Sequence, residues 1–168
     1  MSSDLSTSLR HFAEGGFVIV TDDAKRENEG DLFLLAEHAT TEKLAFMIRY
    51  TSGVICVPMT EARSRELHLP LMVKNNQDTK RTAFTVTVDV KHGITTGISA
   101  EERANTIRAL ADSSMNAEDF IRPGHIFPLV SNEGGLRARQ GHTEAIIEMC
   151  RRVGAKEVGV ISELVNED

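Results

Sequence analysis

Ten consecutive residues, Asp22-Asp-Ala-Lys-Arg-Glu-Asn-Glu-Gly-Asp31, hold five carboxylates and two cations, a local charge of −3. Oxygen-rich clusters suit a hard divalent cation: Mg²⁺ commonly takes one or two carboxylates and fills its other positions with water and substrate oxygens. The run is not an EF-hand loop, because the spaced Asp pattern and the closing Glu are missing. A solvated charged loop would have the same composition, so charge alone leaves both readings open. Arg139-Gln-Gly-His-Thr143 opens a stretch of helical periodicity. Free N–H groups at a helix start attract anions, Gly141 would let a ligand approach the backbone, and Arg139 could fork onto a phosphate. There Thr143 could cap or donate, and His142 could bind a metal or move a proton; a plain helix cap is the alternative. His125, held between two prolines in Arg122-Pro-Gly-His-Ile-Phe-Pro128, enters an apolar strand and reads most simply as a satisfied core histidine. Glu163, within Val160-Ile-Ser-Glu-Leu-Val165, is harder to dismiss, since an acid in an apolar strand is costly unless paired or bound to metal. Thr95-Thr-Gly-Ile-Ser99 offers hydroxyls before a helix, and Cys56 between Ile55 and Val57 reads as a small buried hydrophobe. His11, His38, His68 and His92 have no constellation around them, and no Walker, Gly-x-Gly-x-x-Gly, Gly-x-Ser-x-Gly or His-Glu-x-x-His motif occurs.

The elements that would position these residues follow from the hydrophobic period. Helices are predicted over 4–14, with Leu5, Leu9, Phe12 and Ala13 on one stripe, and over 41–51, with Leu44, Met47 and Ile48 inward and Gly53 as the stop. A short helix capped by Thr60 runs to about Leu67, another opens on the Ser99/Glu102 capping box and runs through Leu110, and the last spans about 143–153 before Gly154. Strands are predicted as a buried run at 17–21, at 31–36, and as a central strand at 54–57 closed by Pro58. Further strands fall at 82–90, at 125–130 and at 158–165, with 22–30 and 70–82 as loops. In the 82–90 strand Phe84, Val86, Val88 and Val90 alternate with Thr85, Thr87 and Asp89, the pattern of a half-buried strand. Alternating helices and strands predict a single α/β (α+β) layered sandwich domain over 1–168, with a mixed β-sheet flanked by helices.

Composition narrows the function classes. The 168 residues carry 19 basic and 25 acidic side chains, net −6, with one Tyr and no Trp, which disfavours nucleic acid as a partner. No apolar run is long enough for a transmembrane helix, and Met1-Ser-Ser-Asp-Leu-Ser does not read as a secretory signal. Two cysteines, Cys56 and Cys150, are too few for a disulfide framework. A reduced, cytoplasmic protein is expected.

Taken in order, Asp22-Asp-x-x-Arg-Glu-Asn-Glu-Gly-Asp31, Cys56-Val-Pro58, Thr82-Ala-Phe-Thr85, Thr95-Thr-Gly-Ile-Ser99, Arg122-Pro-Gly-His-Ile-Phe-Pro-Leu129 and Gly141-His-Thr-Glu-Ala145 resemble the 3,4-dihydroxy-2-butanone 4-phosphate synthase family from about residue 5 to the end. The resemblance implies a riboflavin-pathway lyase that converts ribulose 5-phosphate into that product and formate. It implies a homodimer with the active site at the interface, and Mg²⁺ or Mn²⁺, two ions per site, held by Glu27 and His142. Arg26, Glu27, Asp31, Thr96, Arg139, Gly141, His142, Thr143 and Glu163 would contact substrate, with Arg139 and Thr143 on the phosphate. His125 and Glu163 would be essential for catalysis, while Asp31, Glu29 and Cys56 complete the catalytic set and Asp22 lines the pocket. The chain departs from the family pattern at Arg137, where an apolar residue is usual, at Ser162, which replaces a Cys, and in a tail that family members continue past Asp168. A metal-dependent sugar-phosphate isomerase or aldolase, and a non-catalytic metal-binding module, are the competing readings.

Overall fold

Nearly continuous apolar runs on the central strands need cover on both faces, and helices provide it. The computed structural model describes residues 4–165. Among them are α1 (Leu5–Ala13), α2 (Thr41–Tyr50), α3 (Glu61–Glu66), α4 (Ala100–Ala111) and α5 (His142–Val153), with strands β1 (Val18–Thr21), β2 (Gly30–Leu35), β3 (Cys56–Met59), β4 (Val88–Val90), β5 (Phe120–Val130) and β6 (Gly159–Glu163). The strands form one open sheet in the order β1-β2-β6-β3-β5-β4. Neighbours are antiparallel except β3 and β5, so the sheet is mixed as expected.

Strand β2 shows how the layers form. Its side chains alternate between faces: Leu32 and Leu34 join a cluster with Leu44 and Met47 of α2 and Ile107 and Leu110 of α4. Phe33 and Leu35 join Phe12 of α1 and Ile146, Ile147 and Cys150 of α5 on the other side. Phe33, Leu34 and Leu44 are wholly buried, each worth about 1.5–3 kcal/mol relative to exposure.

Helix ends follow the sequence signals. Thr40 and Thr60 hydroxyls accept the Lys43 and Arg63 N–H groups, and Ser99 with Glu102 forms both bonds of a capping box. Gly154 closes α5 in the left-handed region at φ 70°. Arg63 of α3 fastens the far end of α4, donating to Leu110 O at 3.0 Å and to Asp112 O at 2.6 Å.

Several expectations are corrected. β1 is an edge strand rather than a buried one, and Ile19 is 60% exposed. On α1 only Phe12 is buried, while Leu5 and Ala13 lie outward. Pro58 lies inside β3 rather than after it; the donor it lacks matches a thin β3–β6 ladder, paired at Cys56–Ile161 with an isolated bridge at Met59–Val158. The regular 82–90 alternation fails: β4 keeps only Val88–Val90, and the expected outer residues Thr85 and Asp89 are buried. β5 begins five residues earlier than predicted, at Phe120 rather than at His125.

The β4–β5 register steps from Val88–Ile126 to Asp89–Ile121, so residues 122–125 bulge out opposite one step of β4. Gly124 makes the closest approach: a Cβ there would stand 2.0 Å from the Val88 carbonyl carbon. Its N–H donates to Thr87 Oγ1 at 3.0 Å. The bulge leaves His125 half-exposed, its side chain 40% accessible, not in the core.

Candidate active site

At the ends of β2 and β6 the register places Asp31 directly opposite Glu163. Like charges facing across an antiparallel pair are destabilising, and nothing among the described residues pairs Glu163 in a salt bridge. Glu163 is exposed at the end of its strand rather than buried within it, which corrects the sequence expectation. Asp31 is the buried member. Burial, and then the charges of Glu163, Glu29, Glu27 and Asp22, push its carboxyl up to about 7. Glu29 is raised by burial and by Glu163, Glu27 and Asp22. Asp22 escapes this: burial pushes it up, yet the Glu29 N–H at 3.0 Å and Arg26 at 2.7 Å hold it below the usual carboxylate value.

Except for Asp22, which faces a neighbouring hollow, these groups line a cavity of about 290 Å³. Around it stand Arg26, Glu27, Glu29 and Asp31 from the acidic loop and β2, Cys56 from β3, Arg139, His142 and Thr143 at the start of α5, and Glu163. Gly141 caps α5 without a side chain over the first turn, so that turn has N–H groups free for an anion. His142 Nδ1 lies 3.4 Å from Asp31 Oδ1. Asp31 Oδ1 and His142 Nε2 are both buried without a hydrogen-bond partner, an arrangement that native interiors avoid unless something else binds there. Burial lowers the His142 pKa, favouring the neutral imidazole that a metal requires. No group of three or more His, Cys, Asp or Glu among the described residues could hold a metal ion alone, so a cation here would be completed by water or ligand oxygens, as suits Mg²⁺.

The surroundings of two side chains limit the roles expected of them. The Arg139 guanidinium already donates to Glu144 at 2.7 Å, to Thr82 Oγ1 at 3.2 Å and to Lys80 O at 3.4 Å, leaving two of its five N–H groups for a ligand. Burial, followed by Glu163 and Asp31, pushes the Cys56 thiol up to about 12, so it lines the cavity as a neutral thiol rather than a nucleophile.

Thr96 and His125 do not line this cavity. His125 stands in a separate cluster, its Nδ1 2.7 Å from Asp89 Oδ2. Thr96, exposed, sits in a loop that Glu102 gathers by accepting from the Thr95 hydroxyl at 2.8 Å and the Gly97 N–H at 3.0 Å.

The sequence reading missed Asp89, Glu144 and Lys80. Asp89 lies in Val88-Asp-Val90, so the argument made for Glu163, an acid inside an apolar strand, applied with more force there. Glu144 is buried and orients Arg139 while accepting the Asn132 N–H; no spacing rule marks it. Lys80 Nζ donates to Arg26 O at 2.7 Å, tying the 70–82 loop to the acidic loop. Of the two substitutions, Arg137 is exposed in a short turn. Ser162 is buried, donating to Val54 O at 2.9 Å and sharing a hydrogen bond with Thr51 at 2.7 Å.

An open mixed sheet bearing a carboxylate-rich cavity, with cations on its rim, defines an α/β enzyme. The family model for 3,4-dihydroxy-2-butanone 4-phosphate synthase matches residues 6–168, and the chain belongs to that family. It is 49% identical to the 3,4-dihydroxy-2-butanone 4-phosphate synthase of Saccharomyces cerevisiae, over 100% of this chain and 84% of that protein. It is 46% identical to the riboflavin biosynthesis protein RibBA of Chlamydia trachomatis over 99% of this chain but 39% of that longer protein. A crystal structure of 3,4-dihydroxy-2-butanone 4-phosphate synthase in complex with two magnesium ions superposes with a TM-score of 0.96 at 49% identity, covering 98% of this chain and 77% of that one.

Proposed function

We propose that this protein converts D-ribulose 5-phosphate into L-3,4-dihydroxy-2-butanone 4-phosphate and formate, a step of riboflavin biosynthesis. The observation that carries this reading is the Asp31–Glu163 opposition beside an unpartnered His142 Nε2: two acids and an imidazole that a cation and a polar substrate would satisfy together. The family's name supports the product, and ribulose 5-phosphate is the substrate that the sequence resemblance implies.

Glu27 and His142 would hold Mg²⁺ or Mn²⁺, two ions per site, and the bound cations would supply positive charge that polarises the C2 carbonyl. Asp31, with its carboxyl near 7, or Glu29 takes the C3 proton to give an enediol. Loss of the C1 hydroxyl as water and reprotonation at C1 leave a methyl group and adjacent carbonyls at C2 and C3. The C4 hydroxyl gives up its proton as C5 migrates from C4 to C3, water adds to the new C4 aldehyde, and C4 leaves as formate. Glu163 serves these later proton transfers, and His125 stabilises an oxyanion. The remaining Arg139 donors, Thr143 and the first turn of α5 receive the phosphate.

His125 and Thr96 stand outside the cavity of their own chain, and this supports a homodimer in which each protomer completes the other's site. Formate released from ribulose 5-phosphate is the test, with a chelated control and a His142→Ala variant. Metal-dependent formate, lost in both controls, is expected. Another pentose phosphate formed without formate would replace this reading with an isomerase.

A further inference from the structure

We infer that Asp89 is a positioning residue that fixes the tautomer and direction of His125 for catalysis, an inference that rests on the synthase reading above. The carboxylate holds His125 at two points: Oδ1 accepts its backbone N–H at 2.9 Å, and Oδ2 faces its ring Nδ1 at 2.7 Å. An ionised carboxylate only accepts, so Nδ1 must carry the proton. Nε2 is then the nitrogen left to act on a substrate, on a side chain whose other end is locked to the bulge. It takes a proton first, and the imidazolium so formed, steadied by Asp89, can donate to an oxyanion.

The surroundings are built around this pair. Asp89 is 2% exposed, whereas the His125 side chain is 40% accessible, so the anchor is buried and the working end is open. Gly97 packs on the carboxylate so closely that a Cβ would stand 2.1 Å from Asp89 Oδ2 and 2.9 Å from His125 Nδ1. That glycine has φ 86°, a conformation other residues adopt at a cost, and its N–H is held by Glu102 at 3.0 Å. The loop bearing Thr96 therefore closes over Asp89 and keeps water from its bond to His125. No other basic side chain is hydrogen-bonded to Asp89 among the described residues. The buried Arg103 guanidinium also feels the charge of Asp89, but the hydrogen bonds this carboxylate accepts come from His125.

The Asp89→Asn variant separates positioning from packing. Its amide oxygen can still accept the His125 N–H, but its NH₂ then faces Nδ1 and drives the ring to the Nε2–H tautomer. We expect ¹⁵N NMR to show Nδ1–H in the parent and Nε2–H in the variant. The kcat for formate should fall about 10²–10⁴-fold, the range of an acid–base group, with KM for ribulose 5-phosphate little changed. In a His125→Gln background Asp89→Asn should have no further effect on kcat, and Asp89→Glu, which keeps the acceptor, should recover part of the loss. An unchanged tautomer, an undiminished kcat, or an equal loss in the His125→Gln background would each overturn the proposal. A folded parent that binds Mg²⁺ yet releases no formate would instead defeat the synthase reading, and the NMR comparison would then decide alone whether Asp89 sets the ring.

Discussion

Two clusters of ionisable groups sit on one sheet and are built on opposite principles. Around Asp31 and Glu163 the acids face each other, His142 Nε2 and Asp31 Oδ1 lack partners, and Asp31 is driven up to about 7. Around Asp89 opposite charges and donors meet: His125 faces it with ring and backbone, the buried Arg103 adds a positive charge although its Nε lacks a partner, and Glu102 takes the N–H and hydroxyl groups of the covering loop. The first region keeps an imbalance that, on the proposed function, a cation and substrate would correct on binding. The second has its central pair joined before anything binds, and what it holds steady is a direction. Local frustration concentrated where a ligand goes, with consistency elsewhere, is the pattern expected of a functional site.

The contrast is tested most severely at Glu163. Glu163→Gln should lower kcat for formate about 10²–10⁴-fold while leaving the melting temperature of metal-free protein unchanged or raised, read by formate assay and calorimetry. A smaller effect separates apo from loaded protein: Mg²⁺ at 100 times its Kd should stabilise the parent by about 2.7 kcal/mol, and much less in His142→Ala, read by thermal shift.

Opposite signs are expected from one acid in each region. Asp31→Asn should raise the stability of metal-free protein by about 1 kcal/mol by removing a like-charge contact, whereas Asp89→Ala should lower it by about 1–3 kcal/mol by stranding the donors of His125. Urea denaturation of both variants without metal measures the difference, and equal signs would erase the distinction between the regions. The smallest effect concerns acid. Hydrogen bonds from the Thr95 backbone and hydroxyl hold Glu102 at about 2, below its usual 4.5. Its contribution is therefore present above about 4.5 and fades as pH falls through about 2. The melting-temperature gap between the parent and Glu102→Gln should be widest near neutral pH and close on acidification.

Much of this was legible in the sequence where the cause is local. Thr40, Thr60 and Ser99 announce helix starts, and Gly154 announces a helix end, because a cap needs only its own few residues. The acidic loop and the α5 start were recognised as chemistry-bearing, and the fold places both on one cavity. What was misread depends on partners far along the chain. The apolar run of β1 could not say that the strand lies at the edge. The alternation at 82–90 could not foresee that the bulge at 122–125 turns Asp89 inward to meet His125. Glu163 and His125 both stand in apolar sequence that reads as buried, yet the acid lies at an open strand end and the histidine stands on a bulge. Glu144 and Lys80, which brace Arg139 and the acidic loop, carry no sequence signal, since only tertiary contact gives them a task.

Arg63 has a consequence for motion. Helices ordinarily open from their ends, where the last turn lacks partners. α4 is denied both exits: the capping box closes one and the Arg63 guanidinium grips the carbonyls at the other. Its amides must then exchange with solvent through opening of a larger unit rather than by fraying. The Thr95–Ser99 loop, fastened to that helix through Glu102, shares its stillness, so the covered face of the molecule keeps time with the core.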